Sequence, residues 1–351
     1  MPLNATKHKD IRQLNLEELK NAFAEMGEPN FRAKQVYAWL WQKATTNFEE
    51  MSNLPQKLRQ QLNENYVIRP INSVKEQFSS DGTIKIAFNL YDGHLIEGVL
   101  IPSPDRERMT ACVSSQVGCS LTCKFCATGF LKLRRNLDAA EIFDQVVHID
   151  RLAQLHFGKP LTNIVYMGMG EPLLNYKNVL QSVHYITSPD ALGMSAKRIT
   201  VSTAGIAKMI YQLADDQTAF NLAISLHAAT DEKRNEIMPI NDSNSLPKLS
   251  AALRHYYTTL KRPVTYEYIV FRNFNDSLED ARNLVKFCRQ IPSKVNLIEY
   301  NTVEGVDFVS TDEDRLTDFH AYLEQNGVSA TIRRSRGKDI DAACGQLANK
   351  G

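Results

Sequence analysis

The sequence predicts an α/β protein in three successive parts: a helical N-terminal region, a small antiparallel β meander, and a long parallel βαβ region forming an open or closed barrel. Three observations carry this. Apolar residues recur at helical spacing through residues 1–71, the pattern switches to period two over 72–105, and strand-like and helix-like segments alternate from 106 to 351.

In the first part, Leu14–Met26 and Phe31–Trp41 carry the helical spacing, and Leu54–Leu62 reads as a shorter third helix. Arg32, Lys34 and Lys43 are interleaved with Phe31, Tyr37, Trp39 and Trp41. That mixture suits an RNA-facing surface, although composition alone favours a plain helical bundle with tryptophans inside and lysines in solvent. In the second part, Asp92-Gly93 is a hairpin turn between IKIAFNLY and HLIEGVLIP, and Ser80-Asp81-Gly82 is another just before it. Glu97 falls within the last meander strand, and Pro102–Arg108 is a polar connector suited to a domain boundary.

In the third part, the expected strands are Thr110–Ser114, Asn163–Met167, Arg198–Ser202, Asn221–Ser225, Val264–Phe271, Val295–Tyr300 and Ala330–Arg333. Helical patterns such as Leu137–Ala153, Leu246–Leu260, Leu278–Gln290 and Asp312–Gln325 lie between them. Barrels of this kind place their chemistry at the carboxyl ends of the strands. Here those ends read CVSSQVGC, MGMGEP, VSTAG, ISLHA and EYN.

Net charge is +1, so any nucleic-acid surface has to be local. No apolar run approaches the length of about 18 residues that a membrane span needs. The opening MPLNATKHKDIRQLN has no apolar signal segment, which predicts a cytoplasmic protein. In that reducing setting a cysteine pattern points to metal or redox chemistry more than to structural disulfides.

Such a pattern is present. Cys119, Cys123 and Cys126 follow C-x3-C-x2-C on one short loop. Zinc sites usually come as paired C-x2-C units, and ferredoxins use other spacings. Three close thiolates can hold three irons of a 4Fe–4S cube and leave the fourth open for a substrate, which suggests catalysis. Zinc with a fourth ligand, or inert buried thiols, are the competing readings. Gly170 and Glu171 in MGMGEP offer close backbone approach and a carboxylate; Ser202, Ser225, Leu226, His227 and Asn301 end later strands in the same way. Any one of them alone is weak evidence, but the set looks like a ligand cradle. Cys288 sits on the apolar stripe of a helix and reads as structural. Cys112 precedes the loop and Cys344 sits in the small-residue stretch AACG; spacing alone does not pair them.

The cysteine loop with Phe125 before its last cysteine resembles the radical S-adenosylmethionine superfamily. Together, CVSSQVGCSLTCKFCATG, MGMGEPLLN, VSTAG, ISLHA, MPIN, the RRSRGKDIDAACGQL tail and FRAKQVYAWLWQ resemble the RlmN family from about residue 12 to 348. The resemblance implies a partial (β/α)6 TIM-like barrel and methylation of carbon 2 of adenosine in 23S rRNA and in tRNA, with two S-adenosylmethionine consumed per turnover. It implies that Cys119, Cys123 and Cys126 hold the 4Fe–4S cluster and that the MGMGEP segment holds the S-adenosylmethionine amino group. Cys344 would carry the methyl group, Cys112 would resolve the RNA adduct through a transient disulfide, and Glu97 would accept a proton. It also implies an electron donor such as flavodoxin and a monomeric enzyme. A Cfr-type carbon 8 methyltransferase is the alternative; Pro172 and Arg336–Asp339 look more like the carbon 2 enzymes, whereas Lys132-Leu133 departs from the family's glycine-containing pair. RNA contacts would come from Lys132, Arg134, Arg135, Arg333, Arg334, Arg336, Lys338 and the N-terminal helices.

Overall fold

The structure, a computed structural model, describes residues 8–103 and 107–348. The start of the chain and residues 104–106 of the expected connector lie outside the described residues.

The N-terminal region holds β1 (Lys9–Asp10), α1 (Leu16–Glu25), α2 (Asn30–Trp41), α3 (Gln56–Asn65) and β2 (Tyr66–Val67). α1 starts where the sequence supplies a capping box: Asn15 Oδ1 accepts from Glu18 N at 3.0 Å, and Glu18 Oε2 accepts from Asn15 N at 2.8 Å. The meander follows as β3 (Asn72–Phe78), β4 (Ile84–Asn89) and β5 (Leu95–Ser103). β6 (Arg108–Cys112) then enters the cysteine loop, which closes through the short pair β7 (Gln116–Val117) and β8 (Arg135–Asn136).

From there the chain alternates: α4 (Ala139–Phe157), β9 (Asn163–Tyr166), α5 (Tyr176–Thr187), β10 (Ile199–Thr203), α6 (Ala207–Asp215), β11 (Asn221–Ser225), α7 (Asp231–Ile237), α8 (Leu246–Leu260), β12 (Val264–Val270), α9 (Leu278–Cys288), β13 (Ser293–Glu299), α10 (Glu313–Gln325) and β14 (Ala330–Arg333). The strand bounds expected for β11 and β14 and the helix bounds expected for α8 are those found.

One ten-stranded sheet runs in the order β14-β13-β12-β11-β10-β9-β6-β5-β4-β3. Within this sheet the pairings from β6 to β14 are all parallel, which gives six strand–helix units and a last strand. The sheet does not close, because β14 and β3 are its edges. The meander is continuous with it: β5 pairs antiparallel with β6, Val99 opposite Cys112. A hairpin region and an open parallel sheet therefore share one hydrogen-bonded surface.

The N-terminal helices join the same core. Trp41 is fully buried, stacked on Tyr185 of α5 with ring centroids 3.5 Å apart, and edge-on to Phe143 of α4 at 5.1 Å. Trp39 is only half-buried: Lys43 Nζ lies 3.6 Å from its ring centroid, and its Nε1 donates to Asn53 Oδ1 at 2.6 Å, the residue whose carbonyl accepts from Arg32 at 3.0 Å. Of the two tryptophans, one belongs to the bundle core and the other to a basic, aromatic face.

Candidate functional site

The strand ends from β9 to β12 converge on one cavity beneath the cysteine loop. Cys119, Cys123, Cys126, Gly170, Glu171, Ser202, Ser225, His227 and Cys344 all line it. Two of the expected cradle residues stand back from it. Leu226 is buried behind the wall, donating its N–H to the Glu267 carbonyl at 3.0 Å. Asn301 holds the tail, its Nδ2 donating to the Cys344 carbonyl at 3.2 Å, while its buried Oδ1 finds no partner among the described residues.

Burial raises the loop thiols. Cys119 is pushed up to about 11, and Cys123 and Cys126 are raised as well, with the other cysteine charges adding to the effect on Cys123. Neutral thiols are thus favoured unless a metal centre binds them as thiolates. A three-thiol set spread around a shared cavity suits a larger polynuclear group.

The glycines of MGMGEP also serve the packing of the loop. A Cβ on Gly168 would lie 2.7 Å from Ser114 Oγ, and one on Gly170, at φ +97°, would lie 2.5 Å from Gln116 Cβ. They admit the segment Val113–Gln116 at close range, and so seat the loop on β9, while both glycines also line the cavity. Glu171 is buried with its carboxylate facing backbone donors: Oε2 accepts from Ala204 N at 2.7 Å and Oε1 from Leu173 N at 3.0 Å. Burial raises its pKa while these bonds oppose the rise.

His227 adopts φ +56°, an unfavourable conformation for a residue with a Cβ, held by Asn275 Nδ2 donating to its carbonyl at 2.7 Å. Its Nδ1 accepts from Ile269 N at 3.1 Å, which leaves the proton on Nε2. Burial first, and Arg234 second, push its pKa down to about 3, so the ring is neutral at pH 7. Phe125 lies edge-on to this ring at 4.8 Å, so the aromatic before the last loop cysteine packs on a strand-end histidine.

Sequence reasoning missed Glu267. It lines the cavity from β12; Oε1 accepts from Asn296 Nδ2 at 2.8 Å, and Arg333 Nη1 is 3.8 Å from Oε2. Arg333 is held in its charged form chiefly by Cys344, and further by Glu267 and Cys112. Both thiols thus lie within the field of one guanidinium. Cys112 is buried, and burial first, Cys344 second, push it up to about 12. All six cysteines are free, so the disulfide expected between Cys112 and Cys344 is not formed here.

The tail is tied down along its length. Asp339 accepts from Ser79 Oγ at 2.5 Å and Ser80 N at 3.0 Å, and Asp81 Oδ2 accepts from Gly337 N at 2.9 Å. Lys85 Nζ donates to the Asp341 carbonyl at 3.3 Å and lies 3.7 Å from Glu97 Oε1. Glu97, 2% exposed, accepts from Ala348 N through Oε2 at 2.9 Å, beneath the tail and outside the cavity lining. Beyond Cys344, Ala127 N donates to the Gly345 carbonyl at 2.7 Å. Several cations expected to meet RNA are engaged internally: Arg334 with Glu299 and Glu313, Lys338 with Glu299, and Arg135 with Asp92 and Glu141. Lys132 and Arg134 remain exposed.

An open parallel sheet whose strand ends face three loop thiols defines a radical S-adenosylmethionine enzyme, and the model of the Radical SAM superfamily matches residues 113–287. Enzymes of that superfamily use a 4Fe–4S cluster and S-adenosylmethionine. The ribosomal RNA large subunit methyltransferase N-terminal domain matches residues 9–68. A radical SAM methyltransferase from Sphaerobacter thermophilus superposes with a TM-score of 0.91 at 40% identity, covering 97% of this chain and 99% of that one. The probable dual-specificity RNA methyltransferase RlmN of Cytophaga hutchinsonii is 55% identical over 98% of this chain and 94% of its own length. The dual-specificity RNA methyltransferase RlmN of Geotalea uraniireducens is 44% identical, over 97% of each chain. The chain belongs to the RlmN family.

Proposed function

We propose that the protein methylates carbon 2 of adenosine in 23S rRNA, and in tRNA, through a methyl group carried on Cys344. The observation that carries this reading is the position of Cys344. The clasped tail delivers it into the cavity lined by Cys119, Cys123 and Cys126, within the field of the Arg333 that also acts on Cys112. The relatives named above as dual-specificity RNA methyltransferases support RNA as substrate.

Cys119, Cys123 and Cys126 would hold the cluster, with Gly170, Glu171, Ser202, Ser225 and His227 around the S-adenosylmethionine bound to it. When bound, the pair supplies a carbon-centred radical that can take hydrogen from an unactivated methyl group, chemistry no side chain offers. Cys344, as thiolate, attacks the sulfonium methyl of one S-adenosylmethionine, and a second is consumed as the radical source. After that methyl group loses hydrogen, its carbon bonds to adenine and joins RNA to Cys344. Glu97 is assigned to take the proton from carbon 2; Ala348 must lift first, because its N–H holds one carboxylate oxygen. Cys112 then attacks the Cys344 sulfur, making the S–S bond as the carbon–sulfur bond breaks, and the released carbon takes a proton to complete the methyl group; the one electron left over from the radical addition would pass to the redox centre held by the loop thiolates. Arg333 favours the Cys112 thiolate, against the burial and the Cys344 charge that raise this thiol. A low-potential one-electron donor such as flavodoxin, a monomeric state and a cytoplasmic setting complete the reading.

The two thiols fail differently. Cys344→Ala stops the reaction before any bond to RNA forms, and Cys112→Ala accumulates enzyme covalently attached to RNA. Nuclease-sensitive RNA on purified Cys112→Ala, with 2-methyladenosine as the nucleoside product of the intact enzyme, is the expected result. RNA-free Cys112→Ala with normal turnover removes Cys112 from the mechanism, and 8-methyladenosine as product moves the target to carbon 8.

A further inference from the structure

Arg234 of α7 is fully buried, yet every group it touches is neutral. Nε donates to the Leu226 carbonyl at 3.1 Å, Nη1 to Asn241 Oδ1 at 2.6 Å, and Nη2 to the carbonyls of Ala204 and Ser225 at 2.6 and 3.2 Å. Arg12, the other deeply buried arginine of the core, contrasts with it: Asp144 and Asp10 lie at 2.8 and 3.2 Å. Asp231 acts on Arg234 only across Asn241, whose Nδ2 donates to Asp231 Oδ1 at 2.7 Å. A buried cation without a close anion is costly, so a fold that retains one needs a negative partner that arrives later.

The surroundings identify that partner. Ala204 and Ser225 line the cavity on one side while their carbonyls hold the guanidinium on the other. α7 is also fastened to the cysteine loop, since Lys124 N donates to the Ile237 carbonyl at 3.0 Å next to Cys123. Among the charges that favour the cationic form of Arg234, Cys123 ranks first, ahead of Asp231.

We propose that Arg234 is the built-in counter-charge of the iron–sulfur cluster, a fixed cation behind the cavity wall that favours cluster binding and favours the reduced cluster over the oxidised one. The inference rests on Cys119, Cys123 and Cys126 being the ligands. A cube on three thiolates carries net negative charge and gains one more on accepting an electron. Cluster potential follows net charge and burial, and a cation held in low dielectric offsets that gain without reorganising. The electron itself comes from an external one-electron donor.

The test is a dye-mediated redox titration of the reconstituted holoenzyme, followed by the signal of the reduced cluster, with iron content measured in parallel. Arg234→Gln should shift the reduction equilibrium at least about tenfold toward the oxidised form, a fall of about 59 mV for one electron. Arg234→Lys keeps the charge and should hold the wild-type potential. Asp231→Asn keeps the acceptor for Asn241 while removing the opposing charge, so it should raise the potential. A purely structural arginine predicts that the Gln and Lys variants behave alike; that result, or a full-iron Arg234→Gln at the wild-type potential, overturns the proposal. Should Arg234→Gln fail to load iron, the decision falls to the other two variants, and an unmoved Asp231→Asn potential is then the overturning result. Wild-type protein that takes up no iron sinks the ligand assignment instead, so the two failures are distinguishable.

Discussion

Burial drives the His227 imidazole down to about 3, whereas the unfolded chain titrates it near 6.5. Between those values the unfolded state binds more protons. Stability is therefore full above about 6.5 and falls by about 1.4 kcal/mol per unit as the pH drops through that window. Glu171 and Glu267, raised by burial, act with the opposite sign, so the informative quantity is the difference between wild type and His227→Gln. Thermal unfolding of the cluster-free chain at pH 7 and pH 5 should show the wild type losing more than the variant; equal losses would contradict a neutral buried ring. At this scale the sequence was partly legible. The loop cysteines announce themselves because their spacing is local. Glu267 and Arg234 do not, because each is a lone polar residue whose partners come from other segments. α7 buries only Arg234 and Ile237, which leaves no apolar period to mark it.

At the scale of elements, the Lys85–Glu97 pair ties the meander to the tail. Lys85→Met takes the ammonium from beside a buried carboxylate and should cost about 3–5 kcal/mol in denaturant unfolding, while adding Glu97→Gln should recover most of it. Asp339→Asn weakens the hold of Ser79 and Ser80, so Cys344 should react several-fold faster with iodoacetamide; an unchanged rate would mean the clasp does not position the thiol. The turn signals at Ser80-Asp81-Gly82 and Asp92-Gly93 correctly mark the hairpins. The pairing of β5 with β6 has no local signature, because the register Val99 to Cys112 is set by what both strands bury.

Across the whole molecule, the N-terminal helices and the sheet share one hydrophobic core through Trp41. Trp41→Ala removes the stack on Tyr185 and should cost about 3–5 kcal/mol in global stability. Substituting Lys34 or Lys43 on the exposed face should weaken RNA binding. It should also lower the salt dependence by about 0.7–0.9 units of log–log slope for each phosphate no longer neutralised. S-adenosylmethionine cleavage should be untouched by either change, and full RNA affinity at every salt concentration would remove this face from recognition. That an N-terminal bundle exists was legible from periodicity; that Trp41 is fully buried while Trp39 is only half-buried required the helices α4 and α5 that Trp41 meets. The shared core also makes the molecule a calliper. With the basic, aromatic face and the cysteine-loop cavity fixed to one frame, an RNA held at the first, as proposed, would present to the second only a nucleotide lying one set reach away.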